Sequence, residues 1–408
     1  MNKIESASFS NEIESLILHI VDSGETDFNE ILKSLPGVYP STVLTLIKKM
    51  IYKKQIKEEL LGQLFYETQL FPRKLTVKPN FRIPHPLDYH WKFTQLTCNR
   101  LLNIAQEFTD IGNVIGLIGT PSLLEKPHDF FNEREIISFD KNPLDHRITK
   151  LVKCTHYKRN LLTDLIPKIR ANLAISDPPW YPEYFKAFLW VAGQSVVTNG
   201  YLLLSIPLEG IRPTMKQELS DIFNFAQNLG FSLIRCEKKS IAYNMPQFEK
   251  NALSAAGFEN IANEWRTADL AIFRKTRQVS LPRPVIKTKE KWFEIILNSI
   301  DIRVKEKHSL EFLDPTLIPI TDEEIFPSVS RRESLREIID VWTSGNRVYL
   351  CKGTHILICI LKSMQENKSP IEMISSLLNR KLNSTEIIQI LKTVKKIEEI
   401  VIKELSEL

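Results

Sequence analysis

No stretch of this chain is apolar for long enough to span a bilayer, and the N-terminal MNKIESASFSNEIES carries no signal-peptide core. The expectation is therefore a protein with no membrane partner. Cysteine is sparse: Cys98, Cys154, Cys236, Cys351 and Cys359 form no C-x-x-C pair, and an odd number in a long chain argues against a disulfide framework. A reducing, cytoplasmic location follows. His85, His90, His128 and His156 lack metal-ligand spacing, so no metal site is expected. No Ser-His-Asp or Cys-His arrangement, internal repeat or long low-complexity tract stands out. The net charge of +5 is mild. It permits a nucleic-acid partner without demanding one, because phosphate binding usually shows as a concentrated basic face. What is present is an ordinary globular composition, 43% hydrophobic and 25% charged over 408 residues, enough for two or three domains.

Three segments differ in character. Residues 1–70 read as a winged helix. NEIESLILHIV stops at Gly24, Asp27 can cap FNEILKSL, and Ser41 can cap STVLTLIKKMIYKKQIKEE, with LLGQLFYET as a short strand pair around Gly62. Lys48, Lys49, Lys53, Lys54 and Lys57 on the third helix suit a DNA-recognition helix. The plainer and weightier reading is a solvated basic face on a dimerisation or interdomain module. Residues 71–85 are a proline-rich linker. Residues 86–278 alternate strands (VIGLIG, EIISFD, LAISD, GYLLLSIP, SLIRCEKKSIA, DLAIFRK) with helical stretches, which predicts an α/β domain with a parallel sheet closed by a late strand pair. Residues 279–408 read as mainly helical, from KWFEIILNSI and SRRESLREIIDVW to a long C-terminal stretch. There Ile388, Leu391, Val394, Ile397 and Val401 form a stripe for helix packing or homo-oligomerisation. Arg331, Arg332, Arg336 and Arg347 read as surface arginines on a capped helix in preference to a phosphate grip.

The most informative run is AISDPPWY, residues 174–181. A strand ends in Asp177, whose carboxylate is an acceptor for an amine N–H. Pro178 and Pro179 restrict the backbone and cannot donate, which leaves the carbonyl beside Asp177 a fixed acceptor. Trp180 offers a face for a planar base or a cation, with plain packing as the weaker alternative. Parallel sheets bind ligands beyond the carboxyl ends of their strands, and three other strand ends bear on this one. Gly116 and Gly119 in GLIGTPSLL allow close backbone approach, with Thr120 following; this is not G-x-G-x-x-G. Asp140 in ISFDKNP suits ribose hydroxyls, and Asn160 or Asp164 in CTHYKRNLLTDLIP suits an adenine edge. Each has a structural explanation when taken alone, as a tight turn or a solvated strand end. Phe248, Glu249, Trp265 and Arg266 are candidates for the acceptor side, with turn formation and core packing as equal explanations.

GTPSLL, ISFDKNP and ISDPPWY, in that order, resemble the N6-adenine methyltransferase-like proteins. The winged helix, the proline-rich linker, PHPLDYHWKFTQLTCNRLL and PEYFKAFLW resemble the branched-chain polyamine synthases, aminopropyltransferases of the same class I fold. Where those synthases carry a run of aspartates, this chain has Gly119-Thr120-Pro121-Ser122; where they carry Thr after the DPP-aromatic, it has Tyr181-Pro182. The resemblance implies a Rossmann-like class I methyltransferase domain between a winged helix and a C-terminal domain. It also implies an N-methyltransferase with S-adenosyl-L-methionine as donor and an adenine amino group of nucleic acid as leading acceptor. Aminopropyl transfer from decarboxylated S-adenosylmethionine is the alternative, and a non-catalytic scaffold the third reading. Asp177, Pro178, Pro179 and Trp180 would hold the acceptor, and Gly116, Gly119, Thr120, Asp140 and Asn160 the donor. Expected partners are nucleic acid and a second copy of the chain, through the winged helix or the C-terminal helices.

Overall fold

Period-two apolar runs dominate the middle of the chain, and in the computed structural model they build an eight-stranded sheet. Described are residues 3–57, 83–88, 91–125, 128–144, 148, 150, 152–258, 261–286, 291–309, 311–322, 324–330 and 333–407. They fall into two units. One comprises Met1–Tyr66, Trp91–Met245 and Ile261–Lys287; the other comprises Glu67–His90, Pro246–Asn260 and Thr288–Leu408.

The first unit begins with helices Lys3–Asp22, Phe28–Ser34 and Pro40–Tyr52. Asp27 caps the second as its composition predicts, accepting from the Glu30 amide at 3.0 Å. The third starts at Pro40, not behind a Ser41 cap, because proline suits a first helical turn that has no use for its amide. It also stops at Tyr52 instead of continuing through KKQIKEE: Lys54 turns to φ +59 and the Gln55 amide folds back onto the Met50 carbonyl. The strand pair expected around Gly62 lies outside the described residues. Within this module buried Glu14 takes Lys49 at 2.6 Å and Lys53 at 3.6 Å, so two of the five lysines are neutralised locally.

The sheet comprises β1 (Lys92–Phe93), β2 (Val114–Ile118), β3 (Glu135–Asp140), β4 (Cys154–Lys158), β5 (Ala171–Ser176), β6 (Val196–Ile206), β7 (Phe231–Asn244) and β8 (Thr267–Lys275). Their spatial order is β1-β7-β8-β6-β5-β2-β3-β4. From β4 to β6 neighbours run parallel, whereas β8 is antiparallel to both β6 and β7. β4, which the sequence marks only by the strand end in CTHYKRNLLTDLIP, is an edge strand of alternating, half-exposed residues. Alternate residues feed opposite faces. Ile115, Leu117, Leu173, Ile175, Leu203, Leu270 and Ile272 pack on one side with the Gln95–Glu107 helix, and Ala174, Leu202, Leu204, Ala271 and Phe273 on the other. There they meet helices Pro182–Ser195 and Met215–Asn228.

One buried charge fixes that second layer. Lys275 is fully buried at the end of β8, its Nζ donating to the Gly193 carbonyl at 2.7 Å and the Leu229 carbonyl at 2.8 Å, over the Phe231 ring. These carbonyls end the two crossover helices, where orphan acceptors collect.

The second unit contains the main correction to the sequence reading. KWFEIILNSI is not helical. It forms β9 (Trp292–Leu297), paired antiparallel with β10 (Ile300–Lys305) across a two-residue turn. Asn298 and Ser299 both adopt positive φ (49° and 77°), the primed-turn geometry that matches strand twist. β11 (Ile318–Pro319), β12 (Val341–Thr343) and β13 (Val348–Leu350) complete a five-stranded antiparallel sheet. Three helices pack with it: Thr354–Glu366, Pro370–Leu378 and Ser384–Ser406. The long C-terminal stretch is broken at Asn379, a left-handed cap, and restarted by the Asn383–Glu386 capping box. Ile390, Ile397, Ile400 and Val401 are buried within the unit, while Ile388 and Leu391 of the expected stripe are half exposed. Arg336 and Arg347 are buried rather than superficial. Arg336 lies 5.3 Å from the Trp342 ring and Arg347 pairs with Glu404 and Glu407. Arg331 and Arg332 lie outside the described residues. No described helix is long and apolar enough to cross a membrane.

Burial pulls the Lys275 amine down from 10.5 to about 8. Between these values the unfolded chain binds more protons than the folded one, so folding stability rises with pH across that window. Relative to Lys275→Met, wild type should gain about 3 kcal/mol between pH 8 and 10.5, read by denaturant unfolding. Parallel curves for the two proteins would refute the assignment.

Candidate functional site

β5 delivers Asp177 to the carboxyl edge of the parallel strands, and the backbone there is tied on both sides. The Asp177 amide donates to the Ile118 carbonyl at the end of β2. Downstream, the Tyr181 amide closes onto the Pro179 carbonyl at 2.7 Å, and the Arg212 guanidinium donates to the Trp180 carbonyl at 3.0 Å. Arg212 is itself held by Glu218 at 2.5 Å, with Thr214 on the same carboxylate. Among the described residues none donates to the Pro178 carbonyl, which leaves it the acceptor expected beside Asp177.

Asp177 is half-buried as a residue, with its carboxyl set into the strand end. Burial raises its carboxyl to about 7, against the lowering pull of hydrogen bonds from Tyr243 and Ser205. The Tyr243 hydroxyl donates to Asp177 Oδ1 at 2.8 Å and lies 2.6 Å from Ser205 Oγ. Tyr243 is buried, and its phenol is held well above its ordinary value by burial and by the Asp177 charge. It therefore stays protonated and can only donate to the carboxylate. Asp177, Tyr243 and Ser205 come from β5's end, β7 and β6, which the antiparallel β8 brings to one edge.

Aromatic rings surround this relay. Trp180 stands edge-on to Tyr243 at 6.1 Å, Trp91 at 6.4 Å, and Phe93 lies 5.4 Å away. Arg266 enters the same cluster, its guanidinium carbon 4.1 Å from the Trp91 ring centre, 4.8 Å from Trp265 and 5.3 Å from Trp180. Trp265 and Arg266 thus join the DPPW residues. Phe248 and Glu249 are buried in the Gln247–Ala255 helix, which belongs to the other unit.

On the donor side, Gly119 ends β2 in a left-handed turn (φ +67), its amide on the Phe139 carbonyl at 2.9 Å. A Cβ at this position would come within 2.5 Å of the Phe188 ring, so glycine is required. Gly116 has a different role from that expected. It lies inside β2, paired with Ile137 and Ala174, where a Cβ would make only ordinary contacts, and it does not reach the strand end. Thr120 and Ser176, just beyond β2 and at the end of β5, are buried, and their hydroxyls have no hydrogen-bond partner among the described residues. Two unmet hydroxyls at adjacent strand ends are what a polar ligand would satisfy. Asp140 ends β3 with Oδ1 on the Asn142 amide at 2.8 Å. Asn160 follows β4 in a turn closed by Asp164, which accepts the Asn160 amide at 2.9 Å. Asn160 and Asp164 thus act together, and the Arg283 guanidinium donates to the Leu161 and Asp164 carbonyls behind them.

No protein-family model matches the chain, and no curated protein matches it significantly. Among solved structures it is similar to the branched-chain polyamine synthase of Thermus thermophilus, crystallised with N4-aminopropylspermidine and 5'-methylthioadenosine. The TM-score is 0.52 at 11% identity, over 71% of this chain and 97% of that one. Weaker likenesses include a TehB-like SAM-dependent methyltransferase from Corynebacterium glutamicum (TM-score 0.30, 12% identity, 45% of this chain and 89% of that one). The N-methyltransferase NodS from Bradyrhizobium japonicum, crystallised with S-adenosyl-L-homocysteine, gives 0.31 at 8% identity, over 44% and 86%. The strand order and the polyamine synthase likeness agree on the fold: the chain contains a domain with the Rossmann-like fold of the class I methyltransferase type.

Proposed function

We propose that the chain is a sulfonium-dependent group transferase acting on an amine, with an adenine amino group of nucleic acid as the acceptor and methyl as the transferred group. The observation that carries this reading is the Asp177–Tyr243–Ser205 relay at a strand end, beside an unencumbered Pro178 carbonyl and the Trp180 ring. S-adenosyl-L-methionine, when bound, supplies an electron-poor carbon on sulfur. Thr120, Ser176, Asp140 and the Gly119 turn are the residues of this chain suited to hold it, with Asn160 toward its base.

The chain's own residues orient the acceptor. Asp177 and the Pro178 carbonyl accept the two N–H bonds of a primary amine, which fixes the direction of its lone pair. As positive charge grows on nitrogen, both acceptors stabilise it without reorganising, because Tyr243 already fixes the carboxylate. With its carboxyl at about 7, Asp177 can also hold the proton that the amine releases. Trp180 provides the stacking face, and a base paired in a duplex would first have to leave its stack. Aminopropyl transfer from decarboxylated S-adenosylmethionine is the second reading, kept by the fold likeness over 71% of this chain. The strand end Gly119-Thr120-Pro121-Ser122 offers no acid for a polycation, which weighs against it.

A radiolabel transfer assay with RNA, DNA, protein and spermidine, using both donor forms, tests the assignment. Asp177→Ala should reduce transfer by at least ~10²-fold while calorimetric donor affinity stays within about twofold. Equal loss of both would make Asp177 a structural residue, and no donor affinity in wild type would remove the enzyme reading altogether. Tyr243→Phe deletes a bond that lowers the Asp177 carboxyl, so the acidic limb of the rate profile, near pH 7 in wild type, should move up by about one unit. An unmoved limb would show that another group controls it.

A further inference from the structure

Three segments of the first unit lead into the candidate site, and the N-terminal helices touch each of them. The first is the irregularity in β7 between Glu237 and Ile241, just before Tyr243. Lys239 stands there at φ +47, with its amide on Asp269 Oδ1 at 2.8 Å. Its Nζ donates to the Lys33, Ser34 and Leu35 carbonyls at 2.8, 3.3 and 3.2 Å, acceptors that collect where the Phe28–Ser34 helix ends. The second is the Glu209–Ile211 turn, which leads into Arg212, the residue bonded to the Trp180 carbonyl. Pro36 sits so close to Gly210 that a Cβ there would stand 2.5 Å from the proline ring, and Gly37 abuts Leu208. The third is the stretch 262–266. Asn29 Oδ1 accepts the Ala262 amide at 2.8 Å, and Tyr39 meets Trp265 edge-on at 5.8 Å. That stretch is bonded in turn to the end of β7: the Asn263 carbonyl accepts the Met245 amide at 2.9 Å, and the Arg266 carbonyl accepts the Tyr243 amide at 3.1 Å.

We infer that the N-terminal helices form the frame that fixes the acceptor side of the site, with Asn29, Tyr39 and Lys239 as its positioning residues. This rests on the transferase reading above and assigns its acceptor wall a support. Trp265 lies 4.8 Å from the Arg266 guanidinium, which also faces Trp91 and Trp180, so its indole belongs to that wall. Yet the stretch that carries it is irregular, with Asn263 and Glu264 exposed. Irregular backbone opens at little cost, and a wall built on it is only as rigid as the elements that hold it. Here Tyr39 and Asn29 hold it. Lys239 acts at a second point, because an irregularity in a strand re-aims the side chains that follow, and Tyr243 follows this one. A helical head that served only to capture a nucleic acid would need one attachment to the body. These helices instead contact the three segments that carry Tyr243, Arg212 and Trp265 to the site. Asn29, Tyr39 and Lys239 act through those residues and not on the reacting atoms.

The test is hydrogen exchange of the full chain, read by mass spectrometry, joined to transfer kinetics. Asn29→Ala and Tyr39→Ala should speed exchange over 262–266 about tenfold, with β2 and β5 unchanged. Asn29→Asp keeps an acceptor oxygen for the Ala262 amide and should restore slow exchange. Lys239→Met should loosen the end of β7 in the same way, and it carries the test if either alanine variant fails to fold. In the radiolabel assay, with whichever of a single-stranded oligoadenylate and spermidine the wild type modifies, the loosened variants should raise acceptor KM at least about fivefold. Their calorimetric affinity for S-adenosyl-L-methionine should stay within about twofold of wild type. Unchanged exchange over 262–266, acceleration spread evenly across β2 and β5, or an unaltered acceptor KM despite a loosened wall would overturn the inference. Absent donor affinity in wild type would defeat the transferase reading instead, and the exchange pattern would still decide whether the helices hold this wall.

Discussion

A single buried phenol ties the first unit's chemistry to its topology. The Tyr243 hydroxyl bonds Asp177 and Ser205 together, and its ring is the surface on which Phe93, Trp91 and Trp180 converge. β8 runs antiparallel between β6 and β7, so β7 shares the direction of the parallel strands and its far end, with Tyr243, lies at their carboxyl edge. β1 then adds to β7, with Phe93 opposite Tyr243, and supplies the aromatic side of the site.

The helical layer relies on a comparable economy. Lys275 satisfies the last carbonyls of two helices with one amine, so the crossovers that follow β5 and β6 are anchored to β8 by hydrogen bonds as well as by apolar contact. In the other unit, Arg303 is bound at 2.9 Å by both oxygens of Asp301 and at 2.8 Å by Asp88, while Glu404 receives the Gly345 amide at 2.9 Å. Such buried ions add little net stability, since desolvation opposes their attraction, but losing one partner strands the other.

The sequence made β2, β3 and β5 legible because each is a short apolar run that closes on Gly119, Asp140 or Ser176, and DPPW because proline and acid together have few structural uses. Tyr243 was not legible. It sits near the end of a polar, largely exposed strand, and its role depends on β6 and β8, which lie far away in sequence. Trp91 was hidden for the same reason. The β9–β10 hairpin was misread because WFEIILNSI satisfies helical and strand periodicities alike. Asn298-Ser299 decides the matter, yet that pair is a weaker turn signal than Asn-Gly. Arg347 was misread because charge density looks the same whether its partners are water or Glu404 and Glu407 sixty residues later.

The close approach at Gly119 has a consequence for how this protein can change over time. The missing side chain at 119 and the ring at Phe188 share one volume, and the backbone at 119 also demands a left-handed turn. Trimming Phe188 would open the space but leave the torsional demand, so no single compensating substitution frees position 119. The strand-end turn and the helix after DPPW are therefore bound to drift together, and the spacing between the two halves of the site is inherited as one piece.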